Sequence, residues 1–393
     1  MTFYGVLVVA IGFGLSLWAA QREALAGGRF LALPLLYVWH TGMVVAYWLF
    51  SRGTIVDATG YYELGQYTDH PGIGTDLIMW ATGLMRDALP GEHMLDIALI
   101  YGLFSFSGLV FFLRTASTLA GPAYPSILIW VYPLAFMPGM SFWTSAIGKD
   151  APMFLAILLT AFGACRPRER WGYIAAGLAI ALPIRPQIAV VMGLGAASAF
   201  LLASNIRGSI RLAGLLAILL AGAVAAPFAA SYLHVESLDR EYLSDYVADT
   251  QRGLEIGGSA VEMEHYSFPV QVFSYLYRPA IIESGTPIQR LAAVENTVLL
   301  GLTFALIVKL SQSWRAIFRQ PALVFCATYF VVGVAASAVL TANLGMAERQ
   351  KEQFMPCLFL MLIGVVAAQR TVAKPKPARA VYASSLSAYP GAS

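Results

Sequence analysis

Along most of the chain, apolar positions come in unbroken runs, not in the alternation of a half-buried strand or the narrow stripe of a soluble amphipathic helix. Runs near 3 to 21, 31 to 50, 95 to 118, 125 to 140, 149 to 164, 171 to 184, 187 to 204, 212 to 233, 292 to 311, 321 to 341 and 352 to 368 are separated by polar breaks. In hydrocarbon each backbone amide must be satisfied inside its own segment, so repeated runs of about 20 apolar residues predict spanning helices. The pattern therefore predicts an all-α, polytopic integral membrane protein with about 11 transmembrane helices. The fourth to seventh runs are short for a full crossing. The pair flanking Arg185 and Pro186 reads either as two helices or as one broken or re-entrant element.

Two polar stretches, 51 to 94 and 234 to 291, are long enough to hold structure of their own. In the first, Leu77, Ala81, Leu84 and Ala88, with Ile78, Met85 and Leu89 beside them, recur at helical spacing behind Thr75 and Asp76 and stop at Pro90-Gly91. This predicts an amphipathic helix lying on the membrane surface. In the second, Ser237 is a cap for a helix that puts Leu238, Tyr242 and Tyr246 on one face amid Asp239, Asp245 and Asp249, which predicts another interfacial helix. Residues 1–370 thus form one transmembrane domain, and 371–393, with KPKPAR and a Ser/Ala/Pro-rich end, read as a disordered tail.

Composition agrees with the pattern. Apolar residues make up 58%, charged residues 12%, and the mean hydropathy is +0.68, which excludes an ordinary soluble domain. The net charge of +3 gives no reason to expect nucleic acid. Charge does supply a direction. With the N-terminus outside, the inner connections carry Arg22, Arg29, Arg114, Arg166, Arg168, Arg170, Arg207, Arg211, Lys309, Arg315, Arg319 and Arg370 with the basic tail, opposed only by Glu23 and Glu169. That is the Lys/Arg bias of cytoplasmic loops, so the C-terminus is expected inside and both long polar stretches outside. The first run lacks a basic flank and a small-residue cleavage site and reads as a retained helix. Cys165, Cys326 and Cys357 lack CxxC spacing and read as small buried side chains, and the five histidines show no metal-ligand spacing.

Ionisable residues at the outer helix ends carry the candidate chemistry. They are Asp57 with Tyr61 and Tyr62 in DATGYYELG, Lys149 and Asp150 in FWTSAIGKDAP, Arg185 in LPIRPQ, Arg278 in SYLYRP, Glu295 in VEN and Arg349 in LGMAERQKEQF. A charge at a membrane helix centre costs about 2.5 to 3.5 kcal/mol on insertion scales, so charges set against apolar runs face a cavity, a partner or the interface. Arg185 lies between two apolar stretches and before a proline that frees backbone carbonyls, which points to a polar cavity. Asp57 is placed to take a proton from a hydroxyl nucleophile while the basic residues neutralise a departing phosphate. Glu295 is equally explained as a carboxylate at a helix N-terminus.

Taken in order, DATGYYELG, FWTSAIGKD, IRP, YRP before VEN, and ERQK ahead of the last run resemble bacterial membrane proteins of polysaccharide biosynthesis. These are the EpsG and Wzy-like polymerases and, more distantly, the GT-C glycosyltransferases. The resemblance extends from about Thr2 to Arg370 and rests on the order of the elements. It implies transfer of a sugar or oligosaccharide from a polyprenyl phosphate or diphosphate carrier to a glycan or lipid-linked acceptor, on the outer face of the bacterial cytoplasmic membrane. On that resemblance Asp57 is the catalytic base or a metal contact. Tyr61, Tyr62, Lys149, Asp150, Arg185, Arg278, Glu295 and Arg349 are substrate-binding, the basic ones holding the lipid phosphate. No cofactor is required and a divalent metal is left open. The first outer stretch departs from the GT-C pattern in having Glu63 and Asp69, not an adjacent acidic pair, after Asp57. The alternatives are a transporter or flippase of lipid-linked sugars, against which the lack of an internal repeat counts, and a structural membrane partner of other polysaccharide-synthesis proteins.

Overall fold

The computed structural model describes residues 1–54, 56–89, 93–203, 209, 212, 216, 239–254, 260–261, 263 and 266–373. The predicted run at 212 to 233 and the tail beyond 373 lie almost wholly outside these. Described residues are helical, with a single antiparallel bridge between Ala260 and Asn343. In chain order the helices are α1 (Phe3–Leu25), α2 (Ala32–Ser51), α3 (Asp57–Leu64), α4 (Thr75–Ala88), α5 (Met94–Ala120), α6 (Tyr124–Ala135), α7 (Pro138–Phe142), α8 (Asp150–Ala164), α9 (Trp171–Ile184) and α10 (Pro186–Ala203). Beyond the undescribed stretch come α11 (Arg240–Leu254), α12 (Phe268–Tyr277), α13 (Pro287–Ser313), α14 (Arg315–Arg319), α15 (Pro321–Leu340), α16 (Leu344–Lys351) and α17 (Met355–Ala373).

The chain is a helical membrane protein, but the helix count differs from the expectation of about 11. Among the described residues five stretches are long and apolar enough to cross a membrane: Phe3–Leu25, Ala32–Ser51, Met94–Ala135, Pro287–Ser313 and Pro321–Leu340. A sixth arises if α16 and the helix after it, bent by 48° at their break, count as one span. The shortfall is one of length, since α8 has 15 residues and α9 has 14. At about 1.5 Å per residue these reach roughly 22 Å, against about 30 Å of hydrocarbon.

The 42-residue stretch Met94–Ala135 folds back on itself. At its start Asp96 accepts from the amides of Thr2 (3.1 and 3.2 Å) and His93 (3.2 Å), tying α5 to the N-terminus. Further on, the Leu119 carbonyl accepts from the Gln320 side chain (3.4 Å). Gly121 then adopts φ +50°, a left-handed conformation that glycine takes without a Cβ clash. The chain returns, and Phe142 packs on Tyr47 and Phe50 near the end of α2, at centroid separations of 5.2 and 5.7 Å.

Several helices start on a side-chain cap. Thr286 and Gln289 bond reciprocally across Pro287 to start α13, and Asn343 accepts from the amides of Gly345 and Met346 to start α16. The predicted surface helix forms as α4, but Ile78 and Thr82 are its buried positions and Leu84 is exposed. The helix is thus docked on protein, crossing so tightly that a Cβ on Gly83 would lie 2.3 Å from the Gly65 carbonyl. A helix is present in the second stretch as α11, beginning at Arg240, with the expected cap Ser237 and Leu238 outside the described residues; its Gln251 donates to the Val339 carbonyl (2.7 Å). All three cysteines are free, and His40 is buried, its Nε2 within 2.9 Å of Ser105 Oγ and 3.1 Å of the Gly102 carbonyl.

Candidate functional site

Four separate pieces of chain converge at one end of the bundle, each through a short helix or helix end. Asp57 opens α3, Asp150 opens α8, Arg185 is the one residue between α9 and α10, and Arg349 sits in the last turn of α16. Local sequence explains the placements. Pro183 and Pro186 cannot donate backbone hydrogen bonds, so the helix ladder fails between them and the freed Pro183 carbonyl is taken by the Gly74 amide (2.8 Å). Arg185 is left extended at φ −143°, with its carbonyl accepting from Ile188 and Ala189 at the start of α10. Ahead of α8, Gly148 adopts φ +152°, and a Cβ there would meet the Tyr61 ring at 3.1 Å. Only glycine lets the chain pass that ring and present Lys149 and Asp150 in succession.

Asp150 is the hub. Its side chain is 1% exposed, and its two oxygens receive Arg185 Nη2 at 2.9 Å, Arg349 Nε at 2.5 Å and Gln353 Nε2 at 3.1 Å. An isolated carboxylate in that position would be prohibitively costly. Two guanidinium groups, an amide and the N-terminal end of α8 together satisfy it. Arg349 also reaches outward, its Nη1 lying 2.5 Å from Asp57 Oδ2. Asp57 is 58% exposed, so this carboxylate, unlike Asp150, has room for another molecule.

Lys149 stands beside this array with its ammonium in no hydrogen bond or ion pair among the described residues. Burial first, then the Arg185 charge, pushes it below the usual lysine value, while Asp150 opposes that shift. Tyr61 is 7% exposed, and burial, then Asp57, pushes its phenol up. Three cations, Lys149, Arg185 and Arg349, therefore face two carboxylates, leaving the cluster one positive charge in surplus.

Beside Arg185 opens a cavity of about 340 Å³, walled by Ile188, Val191, Leu340 and Phe354 and bordered by Gln187, Ser337, Thr341, Gln350 and Gln353. The Oε1 atoms of Gln187 and Gln353 are buried without a hydrogen-bond partner among the described residues. A ligand rich in hydroxyl groups can donate to both, and Arg185, which borders the cavity, can meet its anionic part. Carboxylates already held by arginine are poor ligands for a divalent cation. Among the described residues no three of His, Cys, Asp and Glu converge as a metal site.

Of the residues singled out from sequence, the structure gathers Asp57, Tyr61, Lys149, Asp150, Arg185 and Arg349. Tyr62 instead lies under the Arg86 guanidinium, 4.4 Å from it, and its carbonyl accepts from Arg86 Nη1 (2.7 Å). Arg278 forks onto Glu283, with Nη2 at 2.8 Å and Nε at 2.9 and 3.1 Å. That carboxylate is held below the usual range, first by the hydrogen bond from Arg278. Glu295 accepts from the Gly139 amide (2.8 and 3.1 Å) about two turns inside α13, not at its N-terminus. Gln353 and Gln187 were not singled out. The signal was faint: Gln353 follows Arg349 at i+4 and Gln187 follows Arg185 at i+2, spacings that become informative only once the arginines share a partner.

Comparison with known proteins returns no match: no family model fits the chain, and no curated protein or solved structure is detectably similar to it.

Proposed function

We propose that this chain is a membrane glycosyltransferase or polymerase that transfers a sugar or oligosaccharide from a polyprenyl phosphate or diphosphate carrier in exopolysaccharide or O-antigen synthesis. The observation that carries the reading is the unpaired Lys149 ammonium beside a buried Arg185–Asp150–Arg349 array, next to a cavity with unsatisfied amide oxygens. The setting is the outer face of the bacterial cytoplasmic membrane, with the N-terminus outside and the C-terminus inside. The short apolar helices α8, α9 and α10 pack with the longer, membrane-crossing ones in one helical bundle.

The carrier phosphate is received by Lys149, Arg185 and Arg349. As Arg349 turns to the phosphate it releases Asp57, whose carboxylate takes the proton of the acceptor hydroxyl. The acceptor oxygen bonds to the anomeric carbon, the bond from that carbon to the carrier oxygen breaks, and the electron pair leaves with the phosphate onto the three cations. Asp150 stays bound throughout and keeps the two guanidinium groups aimed.

The test is Asp57→Asn in cells, with the protein shown to be present. Polymer should be lost and lipid-linked donor should accumulate on the outer leaflet, because flipping precedes the blocked step. Donor held on the inner leaflet would favour a flippase, and normal polymer would remove Asp57 from the chemistry.

A further inference from the structure

A second cavity lies away from the ion cluster, between α6, α13 and α17. It is a groove of about 500 Å³ whose walls include Trp130, Leu302, Ala305 and Leu362 and whose end is marked by Lys309 and Arg370. From Leu362 to Arg370, eight residues of helix rise about 12 Å, room for roughly half of a phospholipid acyl chain. The apolar walls alone would suit any lipid tail. The basic end narrows the choice.

Arg370 is exposed, and its Nη1 donates to the Ser126 carbonyl (2.6 Å) and hydroxyl (3.1 Å), neither of which neutralises it. Gln369 reaches from α17 to α13, donating to the Lys309 carbonyl (3.3 Å) and to Ser313 Oγ (3.3 Å), which holds the backbone of Lys309 next to Arg370. Neither cation meets a carboxylate among the described residues. Two unneutralised cations at the mouth of an apolar groove complement a single amphiphile with one or two chains and an anionic headgroup.

We infer that this groove is a binding site for an anionic phospholipid, one acyl chain lying along Leu302, Ala305 and Leu362 and the headgroup phosphate between Lys309 and Arg370. The assignment is independent of the reaction proposed above, because it uses none of the residues of the ion cluster. The phosphate replaces bulk water around the two cations. The chain fills a groove that would otherwise be lined by loosely packed lipid. Occupancy also ties α13 to α17, the helix that follows Arg349 and Gln353.

The test is native mass spectrometry of the detergent-purified full chain titrated with dioleoyl phosphatidylglycerol or dioleoyl phosphatidylcholine. Phosphatidylglycerol should be retained in preference to phosphatidylcholine, and Lys309→Gln should reduce that preference about fivefold, the change expected for one basic residue near an anionic lipid. Adding Arg370→Gln should remove most of the rest. Arg370 also ties α17 to Ser126, so the single Lys309→Gln variant, whose side chain has no bond to lose, keeps the test sound if the double variant folds poorly. Ala305→Phe, which fills the groove, should lower retention of both lipids, while Arg315→Gln, an exposed cation outside the groove, should leave both unchanged. Equal retention of the two lipids by the parent chain, unchanged preference in Lys309→Gln, or full competition by inorganic phosphate alone would each overturn the assignment.

Discussion

The eight-residue helix α16 serves two ion clusters that differ in kind. Arg349 faces Asp57 and Asp150, whereas Lys351, two residues on, is only 2% exposed and turns the other way. Lys351 donates to Glu348 Oε1 (2.5 Å), to Asn296 Oδ1 and to the Leu276 carbonyl (3.5 Å), and Asn296 donates on to Glu348 (2.7 Å) and to the Pro279 carbonyl (3.2 Å). Every ammonium donor there has a partner, so Lys351 has nothing left to offer a ligand, and its bonds fasten α12, α13 and α16 to one another. The Arg349 cluster has an unpaired cation, a half-exposed carboxylate and an adjoining cavity. Burial and charge alone do not separate a fastening from a site; whether the polar groups are all satisfied does.

The largest expected effects come from breaking one cluster at a time. Asp57→Asn should lower product by roughly 10² to 10⁴, as for loss of a general base. Its melting temperature should stay near that of the parent, because Asp57 is exposed. Lys351→Met should do the reverse: it leaves Glu348 buried without its cation, at a cost of about 3 to 5 kcal/mol, and the loss should appear as lower folded yield and melting temperature. If the two variants exchanged phenotypes, the comparison would be inverted.

A smaller effect sharpens the reading of the phosphate clamp. Arg185→Lys should keep part of the activity that Arg185→Ala loses, since an ammonium cannot reproduce a fork shared between Asp150 and a phosphate. Full activity in Arg185→Lys would exclude a bidentate contact. Initial rates with each variant, normalised to protein in the membrane, decide between these.

Lys149 gives a dependence on pH. Anion binding that uses its ammonium is complete below the folded-state pKa and is lost as pH rises through it, and the depression from 10.5 starts that loss earlier than for an ordinary lysine. Stability without ligand moves the opposite way, rising with pH across the same window, because the unfolded chain binds that proton more tightly. Both trends should vanish in Lys149→Gln. Smallest of all is the Arg278–Glu283 pair, whose side chains are 24% and 31% exposed. It contributes about 1 kcal/mol or less, present above the ordinary Glu pKa and lost as pH falls through the depressed one, so Glu283→Gln should barely move the acid limb of the melting profile.

Much of this architecture is legible in the sequence. Apolar runs locate nearly every long helix, and Gly148, Pro183 and Pro186 mark the breaks at which Lys149, Asp150 and Arg185 emerge. What the runs do not give is a final count of spans: the fifth and sixth already read as short for a crossing, and α8 and α9 are short, but apolarity alone does not say how such helices lie in the bilayer. Partner choice is likewise invisible: Arg349 and Lys351 look alike in ERQK, and only the turn of α16 and the sequence-distant Asn296 and Asp150 decide that one is open and the other closed. Arg278 lies apart from the cluster for a local reason, since Glu283 five residues away takes its guanidinium.

The most direct test of the open cluster is the melting temperature of the purified full chain with and without a polyprenyl phosphate, in parent, Lys149→Gln, Lys351→Met and Lys309→Gln proteins. The phosphate should raise the melting temperature of the parent, of Lys309→Gln and of the already weakened Lys351→Met by similar amounts, and should leave Lys149→Gln nearly unmoved. A rise that survives Lys149→Gln but disappears in Lys309→Gln would place the phosphate in the groove at the other end of the bundle, and no rise in the parent would contradict an anion site at Arg185 and Arg349 altogether.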